Sequence, residues 1–369
     1  MANGINLEVI RQALSAAGDP WEAGFTSLSS LSNEERRARL GVTPPPGELS
    51  LEEVAARAQQ TQADIRSAAL QAVGAPAAFD WRNAGGRNFV TVIKDQGSCG
   101  SCVAFGTVAT VETTWRVQRG DPAMAVDLSE AHLFYCHGRA RGRNCGNGWW
   151  PNEALDDFKA KGVVDEACYP YTTTNTDCSG LCSNAPDRLS RITGYEALTG
   201  NVGKIKEWVS TRGPVSACFI VYDDFFSYRS GVYRHVSGNQ AGGHCVTIIG
   251  YDDALGCWIC KNSWGTGWGD AGFFRIAYGQ CGIDTWLNHG VQGVEETGWL
   301  NNRRVIGLWT INQDRNAWAY VEAVGWRRIA FDNDNIFHNM LSDLVAAKGA
   351  ARPVNIYQDK GVIKQIYVF

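Results

Sequence analysis

Hydrophobic and polar positions fall into three patterns along the 369-residue chain. Residues 1–76 read as helical. Ser32–Glu35 (SNEE) and Ser50–Glu53 (SLEE) are capping boxes, in which a serine and a glutamate three residues on satisfy each other's free amides. Each precedes a helix-like run, the second reaching from Leu51 to Val73. Gly41 and Gly74 stand where such helices stop. Between them GVTPPPGE carries three prolines, which hold the backbone extended. That stretch reads either as a plain linker or as a segment shaped to lie along a surface.

Residues 77–294 are rich in Trp, Gly and Cys. Val103, Val108, Val111 and Trp115 recur at helical spacing, and Gly120 follows as a stop. AGGHCVTIIGYDD and CWICK are β-branched or apolar runs that read as strands. Residues 295–369 change texture again. VIGLWTI and AWAYVEAV read as strands. Ile336, Phe337, Met340, Leu341, Leu344 and Val345 form one helical stripe closed by Gly349, and a hairpin turns at Asp359-Lys360-Gly361. The pattern is ββαββ, long enough for a small domain, and it holds no cysteine.

Composition narrows the function. With 20% charged and 44% hydrophobic residues the chain is globular. A net charge of −4 gives no reason to expect nucleic acid as a partner. The apolar runs, such as VTII at 246–249, are far shorter than a membrane span. MANGINLEVIRQAL lacks the basic start and apolar core of a secretory signal. Twelve cysteines nevertheless point to an oxidising compartment, so the chain is expected to be secreted or extracytoplasmic; either a signal is missing from this sequence, or the protein leaves the cell another way, or it stays inside.

The stretch DQGSCGSCVAF at 95–105 concentrates the candidate chemistry. Cys102 opens the helix that runs to Gly120, and a helix N-terminus favours a thiolate, so its pKa is expected to fall below ~8.5. A redox pair with Cys99 would need a thioredoxin-like βαβ context, which is missing. A zinc site would need a second ligand pair. Cys257 and Cys260 lie three apart on a strand and so point to opposite faces. A nucleophile needs a histidine base and an orienting group. His244 sits after two glycines on a strand, and Asn262 lies in CWICKNSWGTGWGDAGFFRI, where it can accept from one ring nitrogen of His244. Trp264 would lie over that bond. His132, His137, His235, His289 and His338 have ordinary surroundings.

These residues, with FDWR, DLSEAHLFYC, NCGNGWWP, GPVSACF and GGHCVTIIGY in this order, resemble the papain family of cysteine peptidases across nearly all of 77–294. The resemblance implies an α+β, two-lobe fold, helical around Cys102 and β-barrel-like around His244 and Asn262. It implies Cys102 as nucleophile, His244 as base and then acid, Asn262 as orienter, and Gln96 with the Cys102 N–H as oxyanion donors. It implies disulfides Cys99–Cys145 and Cys136–Cys168, protein or peptide substrates, and neither metal nor organic cofactor. Of the seven remaining cysteines, Cys178 and Cys182 are placed for a local bridge. Two departures are visible: Val103 stands where Trp is usual, and CGNGWW replaces a C-N-G-G stretch. Gly148 is expected to pair its backbone with substrate beside Trp149 and Trp150. Trp150, Cys218, Gly242, Cys245 and Trp286 would line the main specificity subsite, with Trp264 and Trp268 alongside. That lining implies an apolar residue at substrate position P2.

No long insertion follows WWP, which favours an endopeptidase. DPWEAGFTSLSSLSNEERRARLG resembles the short prosegments of cathepsin B-like members. Residues 1–76 are therefore expected to be an inhibitory prosegment, with 39–48 shielding Cys102 and cleavage between Val73 and Asp80. The active form is expected to be a monomer. A transpeptidase would use the same residues; the other alternative is a silent peptide-binding relative, against which the intact Gln96, Cys102, His244 and Asn262 weigh.

Overall fold

The structure is a computed structural model that describes residues 5–72, 74–173, 177–322 and 324–369. Val73 (the end of the expected helix and the start of the cleavage window), Ala323 of AWAYVEAV and the leading MANG lie outside them.

The N-terminal region forms α1 (Leu7–Ala16), β1 (Trp21–Ala23), α2 (Asn33–Arg37) and α3 (Leu51–Leu70). Both capping boxes close. Ser32 Oγ accepts from the Glu35 N–H at 3.1 Å while the Glu35 carboxylate accepts from Ser32 N–H at 2.7 Å. Ser50 and Glu53 repeat the exchange at 3.2 and 2.7 Å. Strand β1 has no signature in the sequence, because three residues cannot show an alternation; its pairing partner makes it a strand. Trp21 is buried, and its Nε1 donates to Arg234 O at 2.8 Å. The triple-proline stretch is not extended throughout: Glu48 N–H closes a turn on Pro45 O, with Gly47 at φ +92°. Gly41 ends no helix, since α2 stops at Arg37.

The central region has two lobes. In the helical lobe α4 (Cys102–Arg119) is buried on every side from Cys102 to Trp115 and stops at Gly120, φ +63°, as expected of a helix apolar or uncharged around most of its circumference. Helix α5 (Pro151–Lys161) packs beside it. The other lobe is built from β2 (Ala78–Asp80), β3 (Ser190–Ala197), β4 (Val215–Tyr222), β5 (Tyr228–Tyr233), β6 (Gln240–Asp252), β7 (Cys257–Lys261), β8 (Phe273–Ala277) and β9 (His289–Glu296), with α6 (Val202–Thr211) against β6. The order is β1-β5-β8-β7-β6-β4-β9-β3, with β2 beside β6. The N-terminal strand β1 is thus an edge of the central sheet, antiparallel to β5.

Residues 298–369 form a closed barrel of β10 (Gly298–Thr310), β11 (Ala317–Val321), β12 (Gly325–Ile329), β13 (Pro353–Asp359) and β14 (Val362–Val368), with α7 (Asp334–Gly349) between β12 and β13. The pattern is βββαββ, not ββαββ. Strand β12 shows no apolar alternation because one of its two buried positions is Arg327, whose guanidinium is satisfied by Gln358. The barrel has its own core around Leu300, Val321, Leu344, Ile356 and Ile363. Ile10, Leu14, Trp21, Leu28 and Val42 instead join the core of the central region. No helix among the described residues is long and apolar enough to cross a membrane.

Trp21→Ala removes the largest anchor of β1. A buried Trp truncated to Ala costs ~3–5 kcal/mol, so the N-terminal region should become susceptible to an added protease. Unchanged resistance of residues 5–72 in limited proteolysis would contradict this account of how the region is held.

Candidate active site

Cys102 is the first residue of α4, and the segment before it is fixed from two sides. Cys99 is disulfide-bonded to Cys145, and Gly100 N–H donates to Cys145 O at 3.0 Å. Gln96 N–H donates to Ser263 O at 3.0 Å. The Gln96 side-chain oxygen accepts from Ser263 Oγ at 2.7 Å, which turns its amide nitrogen toward the cleft. Ser263 was not singled out by sequence, although it sits in the same KNSWG stretch as Asn262.

His244 lies on β6 opposite Phe219 of β4. Asn262 Oδ1 accepts from Ser263 N–H at 2.8 Å and lies 2.8 Å from His244 Nε2. The proton therefore sits on Nε2. Nδ1 is left as a buried lone pair with no hydrogen-bond partner. Trp264 covers the ring at 4.7 Å between centroids, with Trp268 4.9 Å behind it, and both indoles are fully buried. Both therefore lie behind the His244–Asn262 bond and line no substrate surface.

Residues 39–43 run through the cleft. Arg39 O accepts from the Gln96 amide at 2.9 Å, and the Arg39 guanidinium binds Asp95 at 2.7 Å. Gly41 N–H points at Cys102 Sγ, 3.3 Å away. Gly41 O accepts from Trp149 N–H at 2.7 Å, Val42 N–H donates to Gly243 O at 3.1 Å, and Thr43 N–H donates to Trp149 O at 3.3 Å. The sulfur thus meets an amide N–H, where cleavage would require a carbonyl carbon.

These contacts correct several expectations. The backbone of residues 41–43 pairs with Trp149. Gly148 serves by closeness, since a Cβ there would lie 2.1 Å from Gly41 O. The Trp149 side chain is core, with Nε1 bonded to Glu153 at 2.9 Å. Gly242 packs against Leu40, and Gly243, the second of the two glycines before His244, faces Val42 and the Trp286 ring. Trp150 and Trp286 meet edge to face at 6.3 Å. Cys218 and Cys245 are cross-strand neighbours, and the Cys245 sulfur lies under α4 against Gly106, away from open space.

The expected disulfides Cys136–Cys168 and Cys178–Cys182 do not form. Cys136 pairs with Cys178, and Cys168 with Cys182. Cys182 N–H donates to Cys168 O at 3.1 Å, which brings that pair together, and Cys178 at φ +66° turns toward Cys136. The remaining six cysteines are unpaired and buried.

Burial also reverses the expectation for the thiol. Enclosed by residues 39–42, Cys102 is pushed up to about 12, chiefly by desolvation and then by the neighbouring Cys245 thiol. Backbone N–H groups, Gly41 among them, act the other way but do not win. His244 is pushed down to about 4, again by burial first. In the covered cleft the two groups are therefore a neutral thiol and a neutral imidazole, and the helix N-terminus does not decide the matter.

The geometry of a thiol at a helix start, a histidine oriented by an asparagine and a glutamine amide, lying between two lobes, defines a thiol peptidase. The family model for papain family cysteine protease matches residues 75–290, and the chain belongs to that family. It is 34% identical over 259 residues to the gut-specific cysteine proteinase of Caenorhabditis elegans, covering 63% of this chain and 77% of that protein. It is 36% identical over 222 residues to cathepsin B-like CP2 of Giardia intestinalis, covering 57% and 72%. Among solved structures it is similar to digestive procathepsin L2 proteinase from Tenebrio molitor larval midgut, at TM-score 0.60 and 28% identity, covering 78% of this chain and 88% of that one. ProCathepsin B S9 from Trypanosoma congolense shares the fold at TM-score 0.61 and 24% identity, covering 77% and 97%. The proforms fix the reading of the N-terminal region: the chain is folded as a zymogen, with its own prosegment as inhibitor.

A Cβ on Gly41 would fall 1.9 Å from Gly100 O. Gly41→Ala should therefore lift the prosegment, and iodoacetamide should modify Cys102 in the intact variant at least tenfold faster than in the parent. Equal labelling rates would show that the sulfur is not protected by this contact.

An imidazole ordinarily titrates near 6.5, and the covered state holds His244 near 4. Opening the cleft then takes up a proton, so this group's contribution to the covered state is complete above pH 6.5 and fades as pH falls from 6.5 to 4. Proteolytic susceptibility of residues 39–48 should rise across that window, and His244→Gln should flatten the rise. A response identical in the variant would assign the effect to other groups.

Proposed function

We propose that the mature protein is an endopeptidase in which Cys102 is the nucleophile, His244 the general base and then acid, Asn262 the orienting group and Gln96 an oxyanion donor. The observation that carries this is the buried, unpartnered Nδ1 of His244, with Nε2 held on Asn262 and the Cys102 thiol beside the next residue of the same strand. Once the prosegment leaves, Nδ1 is the base available to take the thiol proton. The thiolate adds to a peptide carbonyl. The negative oxygen takes the place now held by Arg39 O, against the Gln96 amide and the Cys102 N–H. His244 returns its proton to the leaving amine, a thioester remains, and water activated by His244 hydrolyses it. Protein groups and water balance the whole cycle.

An apolar P2 side chain is supported by Val42, buried in the recess made by Gly243 and Trp286 in place of a substrate residue. Activation would follow cleavage between Val73 and Asp80. Three disulfides support a secreted or extracytoplasmic site of action.

In the matured enzyme, Gln96→Ala should lower kcat far more than it raises KM, because its bond strengthens only as charge develops; losing one such donor costs ~2.7–4 kcal/mol. Asn262→Ala should cost less, since it moves no proton. Steady-state kinetics on a peptide with Val at P2 checks both. Equal and negligible losses would mean that the cleft works through other groups.

A further inference from the structure

The C-terminal barrel takes no part in the cleft, and its outer face carries a second feature. The order β10-β11-β12-β14-β13, with β12 parallel to β14 and α7 between β12 and β13, is that of the five-stranded Greek-key barrel. Such barrels present their second and third strands, and the loop before them, to oligonucleotides or oligosaccharides. Topology alone does not assign a ligand; the side chains do.

Inward from these strands Ala317, Ala319, Val321 and Ile329 are buried. Outward, Trp309, Trp318 and Arg328 are direct neighbours across three strands. One step along, Tyr320 stands edge-on to Trp326 at 5.2 Å. Trp309 and Trp326 are 44% and 46% exposed. With Gln313 and Asn316 of the preceding loop they wall a cleft of about 770 Å³, within the size range of small-ligand sites. Exposed aromatic surface gathered in one place marks an interaction site. The polar groups are already ordered: Trp318 Nε1 donates to Asn316 Oδ1 at 2.9 Å, and Asn316 Nδ2 donates to Gln313 Oε1 at 2.7 Å. Arg328 is pinned over the Phe331 ring at 4.0 Å, and its Nε is buried with no partner.

We propose that this cleft binds a neutral oligosaccharide. Pyranose rings have apolar faces that stack on indoles and a rim of hydroxyls, which here would meet Gln313, Asn316 and Arg328. A single-stranded nucleic acid stacks on aromatic rings as well, but its affinity depends on neutralising several phosphates. Arg328 is the one charged residue lining the cleft, so the face lacks that positive track. The barrel would then hold the peptidase on glycan-bearing substrates, raising their local concentration without altering the chemistry.

The test uses the full chain and a panel of neutral oligomers: β-1,4-glucose, β-1,4-N-acetylglucosamine, β-1,4-mannose and α-1,4-glucose. A thymidine oligonucleotide and a proline-rich peptide complete it. Binding is read by tryptophan fluorescence and affinity electrophoresis. At least one sugar should bind with Kd below about 1 mM, and Trp318→Ala should weaken it about tenfold. Trp309→Ala, at the exposed rim, should weaken it too, which guards against a folding defect in the first variant. Trp299→Ala, an equally exposed tryptophan paired with Tyr357 away from the cleft, should leave affinity unchanged. The proposal is overturned by no sugar binding, by salt-sensitive oligonucleotide or peptide binding alone, or by equal losses in Trp299→Ala.

Discussion

Two backbones touch at the start of helix α4 with no side chain between them, and the closed form rests on that approach. Gly41 lies against Gly100 on one side and Gly148 on the other, so that its N–H can reach the Cys102 sulfur while its carbonyl reaches Trp149. A methyl group at residue 41 would collide with the Gly100 carbonyl, and one at 148 with the Gly41 carbonyl. Close packing of this kind is all-or-none on the scale of a methyl group. It sets how much water reaches the thiol, and through that the protonation of both Cys102 and His244.

The same contact explains why a segment lying along a peptidase cleft survives there. The Gln96 amide is occupied by a carbonyl two residues before the glycine, so the donor and the sulfur address different peptide units. A substrate would have to place one carbonyl before both. Arg39, paired with Asp95, fixes that offset from outside. On the proposed mechanism, inhibition is then a matter of register along the chain.

Much of this was legible in the sequence where chemistry is local. The two capping boxes and the start and stop of α4 needed only residue types in order, and the family resemblance supplied the Gln96, Cys102, His244 and Asn262 set. What escaped depends on distant partners. Strand β1 exists because β5 accepts it, and β12 hides behind a buried arginine. Cys178 and Cys182 exchange partners because a loop folds back on Cys168. In the covered cleft the thiol departs from its expectation for the same reason: a helix N-terminus can be read from sequence, whereas burial by residues sixty positions earlier cannot. Gly41 reads as punctuation in the sequence, and in the fold it supplies clearance.

Strand β1 has one more consequence. It is the terminal strand of the central sheet, so its removal by the proposed cleavage would uncover the N–H and C=O groups of residues 228–231 along one side. An open strand edge is a template for pairing with other chains. The immature protein carries its own cover for that edge, held by Trp21. The freshly cut enzyme would therefore be at its stickiest just after it becomes active, and the detached N-terminal piece, while it lasts, would act as a cap against self-association as much as a block on the cleft.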